Sequence, residues 1–175
     1  MCETRKHVVL ARGKIPCDVL FIGEAPGESE DVLGQPFVGP GGKLLDRLIG
    51  QSEAGDLKIA YTNVIGCFPR NVGEDNRNVK FTQPPKEAVK ACRERLLDFV
   101  DIVKPKAVVF AGKFAWDSSR TVVSERLSES AKMVMISHPA AILRAEEARR
   151  GIAEHQVRVI LTDLFYEIRG QTVPF

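Results

Sequence analysis

Four short stretches carry side chains whose types and spacing could do chemistry. The first is Gly23-Glu24-Ala25-Pro26-Gly27-Glu28-Ser29-Glu30-Asp31. Its glycines and proline make a tight turn with exposed backbone groups. The carboxylates of Glu24, Glu28, Glu30 and Asp31 follow closely. A carboxylate held beside a reacting centre can orient water or stabilise a developing cation. Glu28 and Asp31 read instead as solvated acids in a loop that leads to a helix.

The second stretch is Gly34-Gln35-Pro36-Phe37-Val38-Gly39-Pro40-Gly41-Gly42-Lys43. Gly39, Gly41 and Gly42 lead into a helix whose free N–H groups face outward, with Lys43 in the first turn, so a phosphate is a plausible ligand. Phe37 stands between turn residues and offers a face on which a base could stack. The third is Thr62-Asn63-Val64, at the end of an apolar run. An Asn amide offers one donor and one acceptor, which matches the O4 and N3–H edge of uracil. The fourth is Ser137-His138-Pro139-Ala140-Ala141-Ile142-Leu143-Arg144. A histidine in such a turn is not a helix-face core residue. The apolar tip ending in Arg144 suits a wedge into a DNA groove. Taken singly, each stretch also fits a plainer role: a helix start, a core plug, a strand cap, a turn histidine.

Elements that could position these groups follow from hydropathy. Apolar, β-rich runs occur at Val8–Leu10, Asp18–Gly23, Ile59–Val64, Ala107–Gly112 and Met133–Ile136. The last four are continuous rather than alternating, as in strands buried on both faces of a parallel sheet. Helical spacing places Leu44, Leu45 and Leu48 on one face of Gly42–Ile49. It does the same for Val89, Cys92, Leu96, Leu97 and Val100 within Pro85–Val103. Lys113–Val123 reads as a shorter helix, and Ala145–Arg169 as a charged helical region with a break near Gly151. The alternation predicts a three-layer α/β/α sandwich around a central, mostly parallel four-stranded sheet, as a single domain over residues 1–175. Ligands bind beyond the carboxyl ends of such strands. The candidate groups all fall there.

Composition narrows the class without choosing a ligand. The net charge of +2 rules out a strongly basic coat, yet a protein touching few phosphates needs only a local basic patch. The charged start, Met1 to Lys6, and the absence of a long apolar run predict a cytoplasmic protein that does not cross a membrane. Four cysteines in such a chain suggest thiols or metal ligands rather than disulfides. No oligomerisation signal is visible, so a monomer is the default.

Together the motifs resemble the uracil-DNA glycosylase superfamily, most closely its family 4, over about residues 5–144. The Gly23–Asp31 and Gly34–Gly39 stretches look like its first motif, Tyr61-Thr62-Asn63-Val64 like its uracil-reading strand, and Ser137-His138-Pro139-Ala140 like its last motif. The resemblance implies hydrolysis of the N-glycosidic bond of a flipped-out uracil, or a related deaminated base, in DNA, with no soluble cofactor. It implies Glu30 and His138 as catalytic groups. Gly23, Glu24, Ala25, Phe37, Asn63 and Ser137 would hold the base, and Gly39, Gly41, Gly42, Lys43, Ala140, Leu143 and Arg144 would meet DNA. Two other readings compete. One keeps the flipped-base pocket without efficient catalysis. The other is a nucleotide-binding α/β protein that uses the Gly39–Lys43 turn for a phosphate.

The chain departs from the family in two places. Family 4 members usually carry a [4Fe–4S] cluster on four cysteines. Cys67 and Cys92 match one pair. The N-terminal Cys-x-x-Cys is missing and Cys2 stands alone near its place, so Cys2, Cys67 and Cys92 would be ligands with the fourth unassigned. A cluster with an odd ligand, a degenerate site and no cluster all remain open. Cys17 precedes the first motif's strand, at the opposite sheet end. The stretch from Phe68 to Pro84 is longer than usual. Such an insertion marks the X-type relatives, which trap uracil covalently through a loop histidine. Here the loop reads Arg77-Asn78-Val79-Lys80-Phe81, so trapping is not expected, and Arg70, Arg77 and Lys80 are candidate phosphate contacts.

Overall fold

The computed structural model describes residues 5–72, 79–81 and 83–173. Its main sheet has five strands: β1 (Ala11–Gly13), β2 (Val19–Gly23), β3 (Ile59–Asn63), β6 (Ala107–Ala111) and β7 (Lys132–Ile136). Their spatial order is β1-β3-β2-β6-β7. The pairs β3–β2, β2–β6 and β6–β7 are parallel, and only β1 runs antiparallel, against β3. The expected sheet of four thus has five strands. The extra one lies just after the Val8–Leu10 run, in Ala11-Arg12-Gly13, whose small and charged residues carry no apolar signal.

Six helices join the strands among the described residues: α1 (Glu28–Leu33), α2 (Pro40–Gly50), α3 (Lys86–Val103), α4 (Lys113–Ser124), α5 (Pro139–Arg144) and α6 (Glu147–Ile168). Every residue of β2 and β6 is buried, which explains their unbroken apolar runs. One sheet face, with Phe21, Tyr61 and Val109, packs on Leu44, Leu45 and Leu48 of α2 and on Leu161 and Phe165 of α6. The other, with Leu20, Ile22 and Phe110, packs on Leu96, Leu97 and Val100 of α3 and on Ala115 and Val123 of α4. This is the three-layer α/β/α sandwich that the hydropathy predicts.

Two local expectations fail. The C-terminal region does not break at Gly151, since α6 runs through it. A helical glycine costs about 1 kcal/mol, which the anchored face of a long helix offsets. The break falls earlier, at Ala145 and Glu146, whose backbones are extended (ψ 153° and 150°). Arg150 then donates from Nη2 to the carbonyl of Leu143 at 2.7 Å, meeting an acceptor that α5 leaves open. The Phe68–Pro84 connection contains two further strands, β4 (Arg70–Val72) and β5 (Val79–Phe81), paired antiparallel. Arg77 and Asn78 lie outside the described residues.

Candidate active site

The carboxyl ends of β2, β3, β6 and β7 lie side by side, with β2 between neighbours that the chain reaches in opposite directions. A crevice at such a switch point is the expected ligand site of an open α/β sheet. A cavity of about 750 Å³ opens there. Glu24, Ala25, Glu30, Phe37, Gly39, Gly41, Gly42, Asn63, His138, Ala140, Leu143 and Arg144 all border it. Its size falls within the roughly 300–1,000 Å³ of small-molecule sites, large enough for a base and its sugar.

Asn63 ends β3, opposite Gly23 at the end of β2. It is 3% exposed and borders the cavity. Gly23 lies behind the wall. A Cβ there would fall 2.4 Å from Asn63 Oδ1 and 2.6 Å from Phe37 Cζ. Only glycine lets the amide and the ring come this close together.

Phe37 takes a left-handed backbone, φ 56°. An aromatic residue there is strained by about 1–3 kcal/mol and needs outside support. Arg12 of β1 supplies it. Its Nε donates to the Pro36 carbonyl at 2.8 Å and its Nη2 to the Phe37 carbonyl at 3.0 Å. The same guanidinium lies 3.9 Å above the Tyr61 ring and pairs with Asp46 at 2.8 Å. Gly42 completes the fit, because a Cβ there would overlap the Phe37 carbonyl oxygen at 1.8 Å. Arg12 escaped the sequence reading because it stands on the strand with no apolar signal.

Glu30 is held by two backbone amides. Its Oε1 accepts from the Gly39 amide at 2.7 Å and its Oε2 from the Gly27 amide at 3.1 Å. It therefore joins the starts of α1 and α2. Glu24 is half-buried, and burial raises its pKa above the usual carboxylate value, against the opposing charge of Arg144. Glu28 is exposed, as expected. Asp31 is not: it is fully buried and accepts the amides of Lys6 and His7 at 2.9 and 3.2 Å. It ties the N-terminal segment to α1, which turns the expected solvated acid into a structural one.

His138 caps α5. Its Nδ1 accepts from the Ala140 amide at 3.2 Å. That bond leaves the ring proton on Nε2. Burial lowers the imidazole pKa below its ordinary value and the nearby Arg144 lowers it further, while Glu30 acts the other way. The ring is thus neutral at pH 7. Gly112, at φ 99°, makes room for it, since a Cβ there would lie 2.9 Å from His138 Cβ.

Two candidate residues lie away from the cavity. Ser137 is exposed and borders a separate groove with Gly112 and Met135. Lys43 is exposed on α2 and does not border the cavity. The α2 N-terminus does reach it, because Gly39, Pro40, Gly41 and Gly42 form part of the wall.

The cysteines do not form a cluster site among the described residues. Cys67 is buried and Cys92 is partly buried. The guanidinium of Arg95, which donates to the Asn63 and Val64 carbonyls, also interacts with the side chains of Cys92 and Cys67. Cys17 is at the opposite end of the sheet, just before β2, and burial pushes its thiol up to about 12. Cys2 lies outside the described residues. A [4Fe–4S] cluster takes four thiolates. Cys67 and Cys92 are the two of the expected ligands that are described, and no group of three or more candidate metal ligands occurs among the described residues.

Known proteins resemble this chain in sequence and in fold. The family model described as "Uracil DNA glycosylase superfamily" matches residues 11–164. A type-4 uracil-DNA glycosylase of Archaeoglobus fulgidus is 31% identical over 163 residues, covering 84% of this chain and 77% of its own. A type-4 enzyme of Thermotoga maritima is 31% identical over 162 residues, covering 86% and 80%. The solution structure of a candidate uracil DNA glycosylase from Methanosarcina acetivorans superposes with a TM-score of 0.51 at 15% identity, covering 87% of this chain and 97% of its own. At that identity the likeness concerns the fold alone. Sequence motifs, sheet topology and the family match converge, and this chain belongs to the uracil DNA glycosylase superfamily.

Proposed function

We propose that this chain is a monofunctional uracil-DNA glycosylase acting as a single domain and a monomer, in the cytoplasm, in base excision repair. The observation that carries the reading is the convergence of Phe37, Asn63 and His138 on one cavity at the strand ends. No helix among the described residues is long and apolar enough to cross a membrane.

A flipped uracil would stack on Phe37 and present its O4 and N3–H edge to the Asn63 amide. Backbone groups around Glu24 and Ala25 would complete the base site. Extrusion costs a few kcal/mol of unstacking, which Ala140, Leu143 and Arg144 would offset by filling the gap and meeting phosphate. The amides at the start of α2 suit a backbone phosphate.

In the chemical step the C1′–N1 bond breaks and its electron pair leaves with the base. Negative charge grows on uracil O2, where the Nε2–H of His138 would donate. A neutral imidazole suits this, because it holds the charge without surrendering a proton beforehand. Positive charge grows on the sugar. Both oxygens of Glu30 already accept backbone amides, so the residue is better suited to stabilising that cation than to taking a proton. Water then adds at C1′ and releases a proton, leaving an abasic site. The loop carries no histidine, so covalent trapping through one is not expected.

The reading is tested with a labelled oligonucleotide holding one uracil, treated with the protein and then with alkali. Strand cleavage at uracil, and none in the thymine control, is expected. An intact uracil strand that is nonetheless bound would shift the assignment to a flipped-base binding protein.

A further inference from the structure

Arg12 of β1 and Tyr61 of β3 are direct partners across the antiparallel β1–β3 ladder, so their side chains share one face of the sheet. That register needs glycine at position 13, where φ is 110° and a Cβ would fall 2.3 Å from the Ile59 carbonyl oxygen. The Arg12 guanidinium lies 3.9 Å from the Tyr61 ring centre and donates to the Pro36 and Phe37 carbonyls. Asp46 of α2 closes the unit. It accepts from Arg12 Nη2 at 2.8 and 2.9 Å and from the Tyr61 hydroxyl at 2.8 Å. The Tyr61 ring also meets the Phe37 ring, with centroids 5.6 Å apart. Two residues on, β3 ends at Asn63, whose side chain falls on the same face as that of Tyr61.

One cation therefore holds both walls of the proposed base slot. It grips the backbone of Phe37 through its carbonyl and the strand of Asn63 through Tyr61. A left-handed backbone is unfavourable for an aromatic residue and relaxes unless its surroundings hold it. Relaxation would turn the ring away from Asn63. Lysine could not replace the guanidinium, because one ammonium lacks the planar fork that reaches two carbonyls and a carboxylate together. We propose that Arg12 is a positioning residue for the base slot, setting the gap between the Phe37 ring and the Asn63 amide, with Tyr61 and Asp46 as its supports. Neither Arg12 nor Tyr61 borders the cavity, so the effect reaches the base through Phe37. Its consequence for uracil rests on the function proposed above. The ordering of Phe37 by Arg12 does not.

The test is a double-mutant cycle on the full chain: wild type, Arg12→Met, Phe37→Ala and the pair, with folding checked by thermal melting. Single-turnover excision from a uracil oligonucleotide gives the protein concentration at half-maximal rate. Arg12→Met should raise it about tenfold, within the range that loss of a base–aromatic stack produces. Affinity for the uracil-free oligonucleotide should not change. In the Phe37→Ala background the same substitution should add less than about twofold, because the two residues act as one. If Arg12→Met does not fold, Arg12→Lys takes its place, with a smaller rise that again vanishes beside Phe37→Ala. An unchanged concentration in the folded variant, or an equal rise in both backgrounds, would overturn the proposal. The slot is also read without uracil. The amide and ring resonances of Phe37, identified by their loss in Phe37→Ala, should shift in the Arg12 variant while those of β6 stay. Unmoved Phe37 resonances would overturn the proposal whether or not uracil is released. Shifted resonances in a protein whose wild type releases no uracil would uphold the ordering of Phe37 and count against the glycosylase reading alone.

Discussion

Gly23 lies directly behind Asn63, so close that a Cβ on it would fall 2.4 Å from the Asn63 side-chain oxygen. The same Cβ would meet the Phe37 ring at 2.6 Å. Both proposed base contacts thus depend on one missing methyl group. Gly23→Ala should lose about 1–3 kcal/mol of stability through overpacking. Its uracil excision should fall at least tenfold at a temperature where the protein is still folded. Thermal melting together with single-turnover excision separates the two effects.

His138 supplies a pH prediction whose sign is fixed by its burial. The folded-state pKa is below the ordinary value of 6.5, so the unfolded chain binds the proton more readily. The stability associated with neutral His138 is present above pH 6.5 and is lost as pH falls through the folded pKa. Protonation would also turn Nδ1 into a donor facing the Ala140 amide. The melting temperature of the wild type should therefore drop more steeply below pH 6.5 than that of His138→Gln. Parallel pH–melting curves for the two proteins would count against the buried, neutral ring.

Glu30 accepts two backbone amides with two oxygens, so charge and hydrogen bonding can be separated. Glu30→Gln would turn an NH₂ group toward Gly27 or Gly39 N–H. One buried donor pair would then clash, at about 1–3 kcal/mol. Loss of the charge beside the sugar should lower the single-turnover rate on the order of a hundredfold. A full rate in a destabilised Glu30→Gln protein would assign the carboxylate to loop architecture alone.

Arg144 is exposed at the end of α5, on the rim of the cavity. If it meets a phosphate, Arg144→Ala should bind uracil-free duplex more weakly at low salt. The slope of log affinity against log salt should fall by about one. An unchanged slope would remove Arg144 from the DNA interface.

Much of this fold was legible in hydropathy because β2 and β6 are buried on both faces and therefore read as continuous apolar runs. The strand ends then located Asn63 and His138 in three dimensions. The missed features share a physical cause. Strand β1 is short, edge-lying and built from Ala11, Arg12 and Gly13, so neither apolar content nor alternation marked it. Its Arg12, which supports Phe37, was hidden with it. Asp31 reads as a surface acid in sequence because its partners are the amides of Lys6 and His7, distant in the chain. Arg95 did leave a signal: a cation one turn from Cys92 on an otherwise apolar face. Ser137 and Lys43 went the other way. Their positions in the motifs brought them near the site, but the turn after β7 and the outward face of α2 direct them away from the cavity.

The central claim is that Asn63 and His138 act together on a uracil in one cavity. Its most direct test is single-turnover excision from a uracil oligonucleotide by the wild type, Asn63→Ala and His138→Ala, each checked for folding by thermal melting. The account predicts rapid release by the wild type and losses of roughly a hundredfold or more in each folded variant, the magnitude typical of removing a transition-state donor. Wild-type rates in both folded variants would contradict it.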